Sequence, residues 1–196
     1  MNKKFLGLTA GLALFLAACG SETATEESVK VSVGVVSEVE VEVWEDVKER
    51  LVDQGIELTI EQFGDYVQPN LAAQAGDVDI NAFQHVAYLE SFNADNDGDL
   101  THIGYTYVSP LGLYSEKVED YADLADGAEI IIPNDVTNGG RALLLLQAID
   151  LITLDDAAGT EPTLNDITDN PKNLVITELD ASQTARALPD VDAAVI

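Results

Sequence analysis

The sequence predicts an α/β fold of two lobes of similar design. Valine- and isoleucine-rich apolar runs alternate along the chain with stretches of helical periodicity, as expected of strands buried in a parallel sheet and the helices that cover it. One unit also recurs. Residues 58–63 (LTIEQF) are echoed by 174–179 (LVITEL), Asp65 by Asp180, and 76–83 (GDVDINAF) by 189–196 (PDVDAAVI). A cleft between two such lobes is the favoured place for a small ligand.

The elements follow in order. Residues 29–36 read as a buried strand. Val43, Val47 and Leu51 recur every four residues with Trp44 beside them, and Gly55 follows as a C-cap, so 43–54 is expected to be an amphipathic helix. The alternation Val39-Glu40-Val41-Glu42-Val43 ahead of it reads as strand. After the strand at 58–63 come a loop with Tyr66, Pro69 and Asn70 and a short helix. Residues 101–108 and 111–114 read as strands broken at Ser109-Pro110, the crossing point between lobes. A short helix is expected at 119–124 and a turn at Asp126-Gly127. The strand at 130–132 stops at Pro133, a polar turn follows, and a helix of strong formers occupies 141–148. Surface loops at 157–162 and 170–173 flank a short helix. The chain stops at Ile196 inside an apolar run, which reads as a truncated frame.

With 196 residues and 46% apolar composition the chain can bury a core. The N-terminus reads as a signal peptide over 1–18: Lys3 and Lys4 precede an apolar run that closes as Leu16-Ala17-Ala18 immediately before Cys19, the single cysteine. That ending resembles a lipobox, in which Cys19 becomes the lipidated first residue, with 19–28 as a tether. The expected domains are then 29–110 (lobe 1) and 111–196 (lobe 2). The net charge is −27; nine basic groups less Lys3 and Lys4 leave seven against 36 acidic, or −29. Nucleic acid is a poor partner for such a chain. His85 and His102 are the only histidines and the cysteine is spent on the anchor, so neither a metal centre nor catalysis is expected: no Gly-x-Ser-x-Gly, His-Glu-x-x-His or Walker-type loop occurs. No cofactor is expected either.

Binding fits the residues better. The turn at 133–140 offers side-chain amides (Asn134, Asn138), a hydroxyl and glycines, and precedes a helix start, as a carboxylate site requires. Arg141, read as standing in the first turn, is unfavourable against the helix dipole and calls for an anion, either Asp135 or a ligand. Residues 81–89 (NAFQHVAYL) follow a strand and open a helix, so Phe83, His85 and Tyr88 can line a cleft with an apolar wall and a polar tip. Taken alone, His85 is more often a structural histidine, and Tyr66 and Tyr107 are core aromatics by default.

Taken together these features resemble the NlpA/MetQ type of substrate-binding lipoproteins, which serve methionine-class ABC importers. The resemblance covers 31–196 and rests on 63–70 (FGDYVQPN), 79–85 (DINAFQH), 110–115 (PLGLYS), 132–146 (IPNDVTNGGRALLLL), 166–174 (DITDNPKNL) and 190–196 (DVDAAVI). It implies a two-lobed, periplasmic-binding-protein-like (type II) fold that closes on its ligand like a hinged trap and performs no chemistry. It implies that Arg141 grips a ligand carboxylate with Asn138 or Asn134 nearby, and that Tyr66, Phe83, His85 and Tyr88 enclose the ligand's side chain. The implied partners are an amino acid, foremost L-methionine, an ABC permease with its ATPase, and the membrane on its extracytoplasmic side through the lipid anchor. Two departures bear on the ligand. Many methionine binders have a second phenylalanine where Ala82 stands and a proline where Val136 stands, so another apolar amino acid or a short peptide remains an alternative, as does a surface lipoprotein without transport. The family also continues past a segment like 190–196, so the last part of lobe 1 is expected to be missing.

Overall fold

The computed structural model describes residues 28–196. The expected signal peptide, the lipid-bearing Cys19 and the tether up to residue 27 lie outside the described residues. Strand β1 (Val29–Val35) is the centre of the first sheet, and helix α1 (Glu38–Val52) carries the chain to β2 (Ile56–Gln62), which lies parallel to β1 with Val29 opposite Ile56 and Val35 opposite Gln62. Val41, Trp44, Val47 and Leu51 of α1 pack on Val33, Val35 and Leu58 of the sheet. Helix α2 (Gln68–Ala75) ends at Gly76, whose φ of 79° permits the left-handed cap. Strand β3 (Ile80–Asn81) returns parallel to the other side of β1, and α3 (Val86–Asn96) follows, giving the order β2-β1-β3.

The second sheet repeats the plan. Strand β5 (Glu129–Pro133) is central, β8 (Val175–Leu179) lies parallel on one side and β9 (Ala193–Val195) parallel on the other, with β4 (Leu113–Tyr114) antiparallel on β9. Helix α4 (Val136–Ala148) lays Ala142, Leu143 and Leu146 on Ile130, Ile132 and Val195. The other face of the sheet, Ile131 and Ala194, is covered by Val191 and by Ala187 of the short α5 (Thr184–Ala187) and its neighbour Leu188. Burial on both faces is why β9 and the core of β5 are apolar runs, whereas β8 at the sheet edge, VITEL, is mostly exposed. A small hairpin of β6 (Thr153–Leu154) and β7 (Ile167–Asp169) stands beside α4.

The internal repeat holds in three dimensions. In the first sheet Val33 pairs with Ile80, and Asp79 just before it accepts the Ser32 N–H at 2.7 Å; in the second Ile130 pairs with Ala193, and Asp192 just before it accepts the Glu129 N–H at 2.8 Å. Each aspartate thus closes the edge of its central strand. Asp65 and Asp180 cap the turns after β2 and β8, accepting from Val67 and Gln68 in one case and from Ser182 in the other.

Several expectations are corrected. The alternating stretch 39–43 is helix: α1 starts at Glu38, because Ser37 accepts from the Glu40 N–H while the Glu40 carboxylate reaches back to the Ser37 N–H, a capping box. Val43 consequently faces solvent at 50% exposure, and Val41 takes its place on the core. Residues 101–108 are irregular and exposed, since no described strand lies beyond β3 to offer them a ladder. The strand expected at 111–114 is reduced to Leu113–Tyr114, and the helix expected at 119–124 to one 3₁₀ turn, Tyr121–Asp123. Helix α4 begins at Val136, five residues before the expected start. Its glycines serve packing, not ligand approach: a Cβ on Gly139 would stand 2.9 Å from the Pro133 carbonyl oxygen, and one on Gly140 would stand 3.0 Å from Glu161 Cα.

Candidate functional site

The candidate side chains gather past the C-terminal ends of the parallel strands of both lobes, where open α/β sheets hold their ligands. Tyr66 comes from the turn after β2, Phe83 and His85 from the loop after β3, and Tyr88 from the first turn of α3. The rings form one cluster: Tyr66 to Phe83 at 5.6 Å between centroids, Tyr66 to Tyr88 at 6.0 Å, Phe83 to Tyr88 at 6.1 Å and His85 to Tyr88 at 6.3 Å. The last three are near-perpendicular, an edge-to-face arrangement that ring quadrupoles favour. An amide network below them fixes the loop. Asn70, fully buried on α2, donates to Gln84 and accepts from both Gln84 and Asn81 at 2.6–2.8 Å.

Helix α4 supplies the polar side. Asp135 is its N-cap, accepting the Asn138 N–H at 2.8 Å through Oδ1 and the Asn138 Nδ2 at 3.1 Å through Oδ2. That second bond fixes which way the Asn138 amide points. Its Oδ1 accepts from Arg141 Nη1 at 2.8 Å and meets His85 Nε2 at 2.9 Å. The His85 tautomer follows from the other ring nitrogen: Nδ1 accepts the Tyr88 N–H at 3.0 Å and caps α3, so in the neutral ring Nε2 carries the proton and donates to Asn138. His85 is therefore satisfied structurally and also joins the lobes. A second link runs from Ser182 Oγ to the Gly64 carbonyl at 3.1 Å, in competition with the Asp180 carboxylate for the one hydroxyl proton.

Arg141 is the sixth residue of α4, in the second turn. The expected conflict with the helix start is absent, because Asp135 already caps it. The expected Arg141–Asp135 pair is also absent: among the described residues the half-buried guanidinium bonds only to neutral acceptors, Asn138 Oδ1 and, at 3.4 Å, the Ser109 carbonyl. Lys30, Lys48, Arg50 and Lys117 have carboxylate partners, whereas Lys172 and Arg186, like Arg141, bond to neutral acceptors, theirs away from the rings: the Ala122 and Leu124 carbonyls and the Gln183 amide. Arg141 thus stays available to an anion. Asn134 is exposed at the end of β5, held through its backbone N–H to the Leu179 carbonyl at 2.8 Å, and among the described residues no side-chain hydrogen bond draws it into the cluster.

Acidic groups surround the rings. Burial, then the charges of Glu40, Asp135 and Asp180, push the Tyr66 hydroxyl above its ordinary value; burial, then Asp135, Asp180 and Asp65, push Tyr88 up to about 12. Carboxylates thus surround the rings, and Arg141 approaches them through Asn138, whose Oδ1 also meets His85. A groove of about 400 Å³ lined by Glu61, Phe63, Leu71 and Asp77 shares none of these residues. Among the described residues no three His, Cys, Asp or Glu converge as metal ligands, and no helix is long and apolar enough to cross a membrane. Sequence reasoning missed the amide network around Asn70, the capping role of Asp135 and the carboxylate of Glu40. The Ser-x-x-Glu and Asp-x-x-Asn spacings were the available signals for the last two.

Comparison with known proteins agrees in fold and family. Residues 31–196 match the model of the NlpA lipoprotein family. The D-methionine-binding lipoprotein MetQ of Salmonella typhimurium is 44% identical over 183 residues, which cover 92% of this chain and 66% of that protein. The chain thus spans just under two thirds of the length of this relative. Among solved structures, a nutrient-binding protein from Burkholderia cenocepacia bound to methionine superposes with a TM-score of 0.81 at 45% identity, covering 85% of this chain and 70% of that one. The substrate-binding protein of a methionine transporter from Streptococcus pneumoniae gives 0.80 at 45%, covering 85% and 67%.

Proposed function

The chain belongs to the NlpA lipoprotein family, and from that premise we propose that it is the membrane-anchored substrate-binding component of an ABC importer, capturing an amino acid, foremost methionine, for a permease and its ATPase. The reading assigns Cys19 to lipidation, the extracytoplasmic face of the membrane as its location, residues 29–110 and 111–196 as the two lobes, and no catalytic role to any residue. Arg141 takes the ligand carboxylate, with Asn138 and Asn134 beside it; Tyr66, Phe83, His85 and Tyr88 enclose the side chain. One observation carries this: a half-buried arginine that has no carboxylate partner among the described residues of a strongly acidic chain and stands across a two-lobe junction from an aromatic cluster. The names of the relatives, which bind methionine or D-methionine, support the choice of ligand.

Closure would bury an apolar side chain at roughly 25 cal/mol per Å² and dry the Arg141 contact. Arg141→Ala is expected to weaken methionine binding by more than about 2 kcal/mol, because the ligand carboxylate is then buried without its partner. Calorimetry with L- and D-methionine measures it, and an unchanged affinity rejects the assignment. Ala82 and the exposed Val136 keep one second reading in view, in which the pocket favours another apolar amino acid or a short peptide. A thermal-shift panel separates the two. A receptor at 100 times its Kd gains about 2.7 kcal/mol with its own ligand, whereas a lipoprotein without transport responds to none.

A further inference from the structure

The crossover between the lobes has two anchors that stand two residues apart. Tyr107 donates its hydroxyl proton to Glu40 Oε1 at 2.7 Å, and the Ser109 carbonyl accepts from Arg141 Nη2 at 3.4 Å. Glu40 is only 6% exposed. Its other oxygen accepts the N–H groups of Val36 at 2.9 Å and Ser37 at 2.8 Å, just beyond the C-terminal end of β1. Three donors on one carboxylate hold it in a single orientation at the cleft end of the first sheet. Its field reaches the aromatic cluster, where after burial it is the first charge acting on the Tyr66 hydroxyl.

Tyr107 sits between this carboxylate and open space. A phenol oxygen donates once and can still accept; with its proton committed to Glu40, the Tyr107 oxygen presents lone pairs, strengthened as acceptors by the bond to a carboxylate. The residue is 55% exposed, so the ring stands partly open to solvent. An amino acid's ammonium is attached to the same carbon as its carboxylate, so whatever accepts from it must lie close to Arg141. Positions 107 and 109 are separated by at most about 7 Å of chain, and Arg141 already touches the second of them.

We propose that Tyr107, held by Glu40, accepts a hydrogen bond from the ammonium group of the bound amino acid while Arg141 holds its carboxylate. This rests on the amino-acid reading above. The pair would make the cleft selective for zwitterions over simple carboxylates. Neither Tyr107 nor Glu40 belongs to the aromatic cluster or to the amide network around Asn70.

The test uses the whole chain and two probes in calorimetry: methionine, and 4-(methylsulfanyl)butanoate, which keeps the carboxylate and thioether but lacks the ammonium. Wild type is expected to prefer methionine. Tyr107→Phe, conservative at a half-exposed ring, is expected to weaken methionine roughly tenfold or more, as for a lost hydrogen bond to a charged group, while the butanoate changes less than about twofold. An equal loss for both probes would mean that Tyr107 only props the crossover, and no loss for either would remove it from the site; each overturns the proposal. Failure of the underlying reading shows differently, as wild type that binds neither probe.

Discussion

Replacing Asn138 with alanine tests the centre of the site most directly. The substitution deletes three side-chain hydrogen bonds: to Asp135 at 3.1 Å, from Arg141 at 2.8 Å and from His85 at 2.9 Å. The first two lie within lobe 2 and involve charged groups, each contributing about 1.5–3 kcal/mol when protected from water. Asp135 retains the Asn138 N–H and the Thr137 hydroxyl, and the half-buried guanidinium can rehydrate, so the lower limits apply and part of them is recovered. The expected loss of stability is about 2 kcal/mol, or about 4–8 °C in Tm for a chain of this size. Urea unfolding followed by circular dichroism measures it. The third bond joins the lobes and belongs to closure, so it should be isolated by His85→Asn, which keeps a good N-cap for α3 but cannot reach Asn138. That variant should hold stability within about 0.5 kcal/mol and lose methionine affinity. Wild-type stability in Asn138→Ala would refute the hub, and a large stability loss in His85→Asn would refute the division between lobe and closure.

Gly139→Ala should destabilise by about 1–3 kcal/mol despite alanine's better helix propensity, because its Cβ would press on the Pro133 carbonyl at 2.9 Å and β5 cannot move away; a raised Tm would show that the glycine serves something other than close packing. Asp79 and Asp192 are held below the usual carboxylate range, the first chiefly by the Ser32 hydroxyl and N–H, the second chiefly by the Glu129 N–H and then Lys117. Folded values below unfolded ones mean that their contribution is complete above about pH 4 and is lost as pH falls through the folded value. Acid unfolding monitored from pH 5 downward should therefore be shallower in Asp79→Asn/Asp192→Asn, and an unchanged profile would contradict the assignment. Phe83→Ala should weaken methionine binding while leaving alanine or glycine binding nearly unchanged in calorimetry, and uniform loss across ligands would remove Phe83 from the side-chain pocket.

The central strand of the second sheet was readable because a strand buried on both faces is a continuous apolar run, as at Ile130–Ile132. The starts of α1 and α4 were not, since apolar periodicity begins well after the cap in both. In α4 the four residues Thr137–Gly140 are buried yet polar or glycine, so the helix there packs by backbone proximity and leaves no hydrophobic signal. That shift of five residues moved Arg141 from the first turn to the second and replaced the expected dipole conflict with an amide hub. The ring types of the site could be read from their motif. The His85–Asn138 bond, which spans 53 positions, could not, because it depends on how the two lobes face one another.

The repeat explains what each lobe contributes. Equivalent strands, equivalent edge-closing aspartates and equivalent turns at Asp65 and Asp180 place the C-terminal ends of the two sheets against each other, and the turns meet where Ser182 reaches the Gly64 carbonyl. On that shared scaffold the chemistry has diverged. Lobe 1 offers rings from the segments after β2 and β3, whereas lobe 2 offers an amide and a guanidinium from the helix after β5. In the proposed function the first therefore selects the side chain and the second the head group. Substitutions in lobe 1 should change which amino acid binds, and substitutions at Arg141 should weaken all of them together. A ligand spectrum that shifts with Arg141 and stays constant with Phe83 would reverse the division.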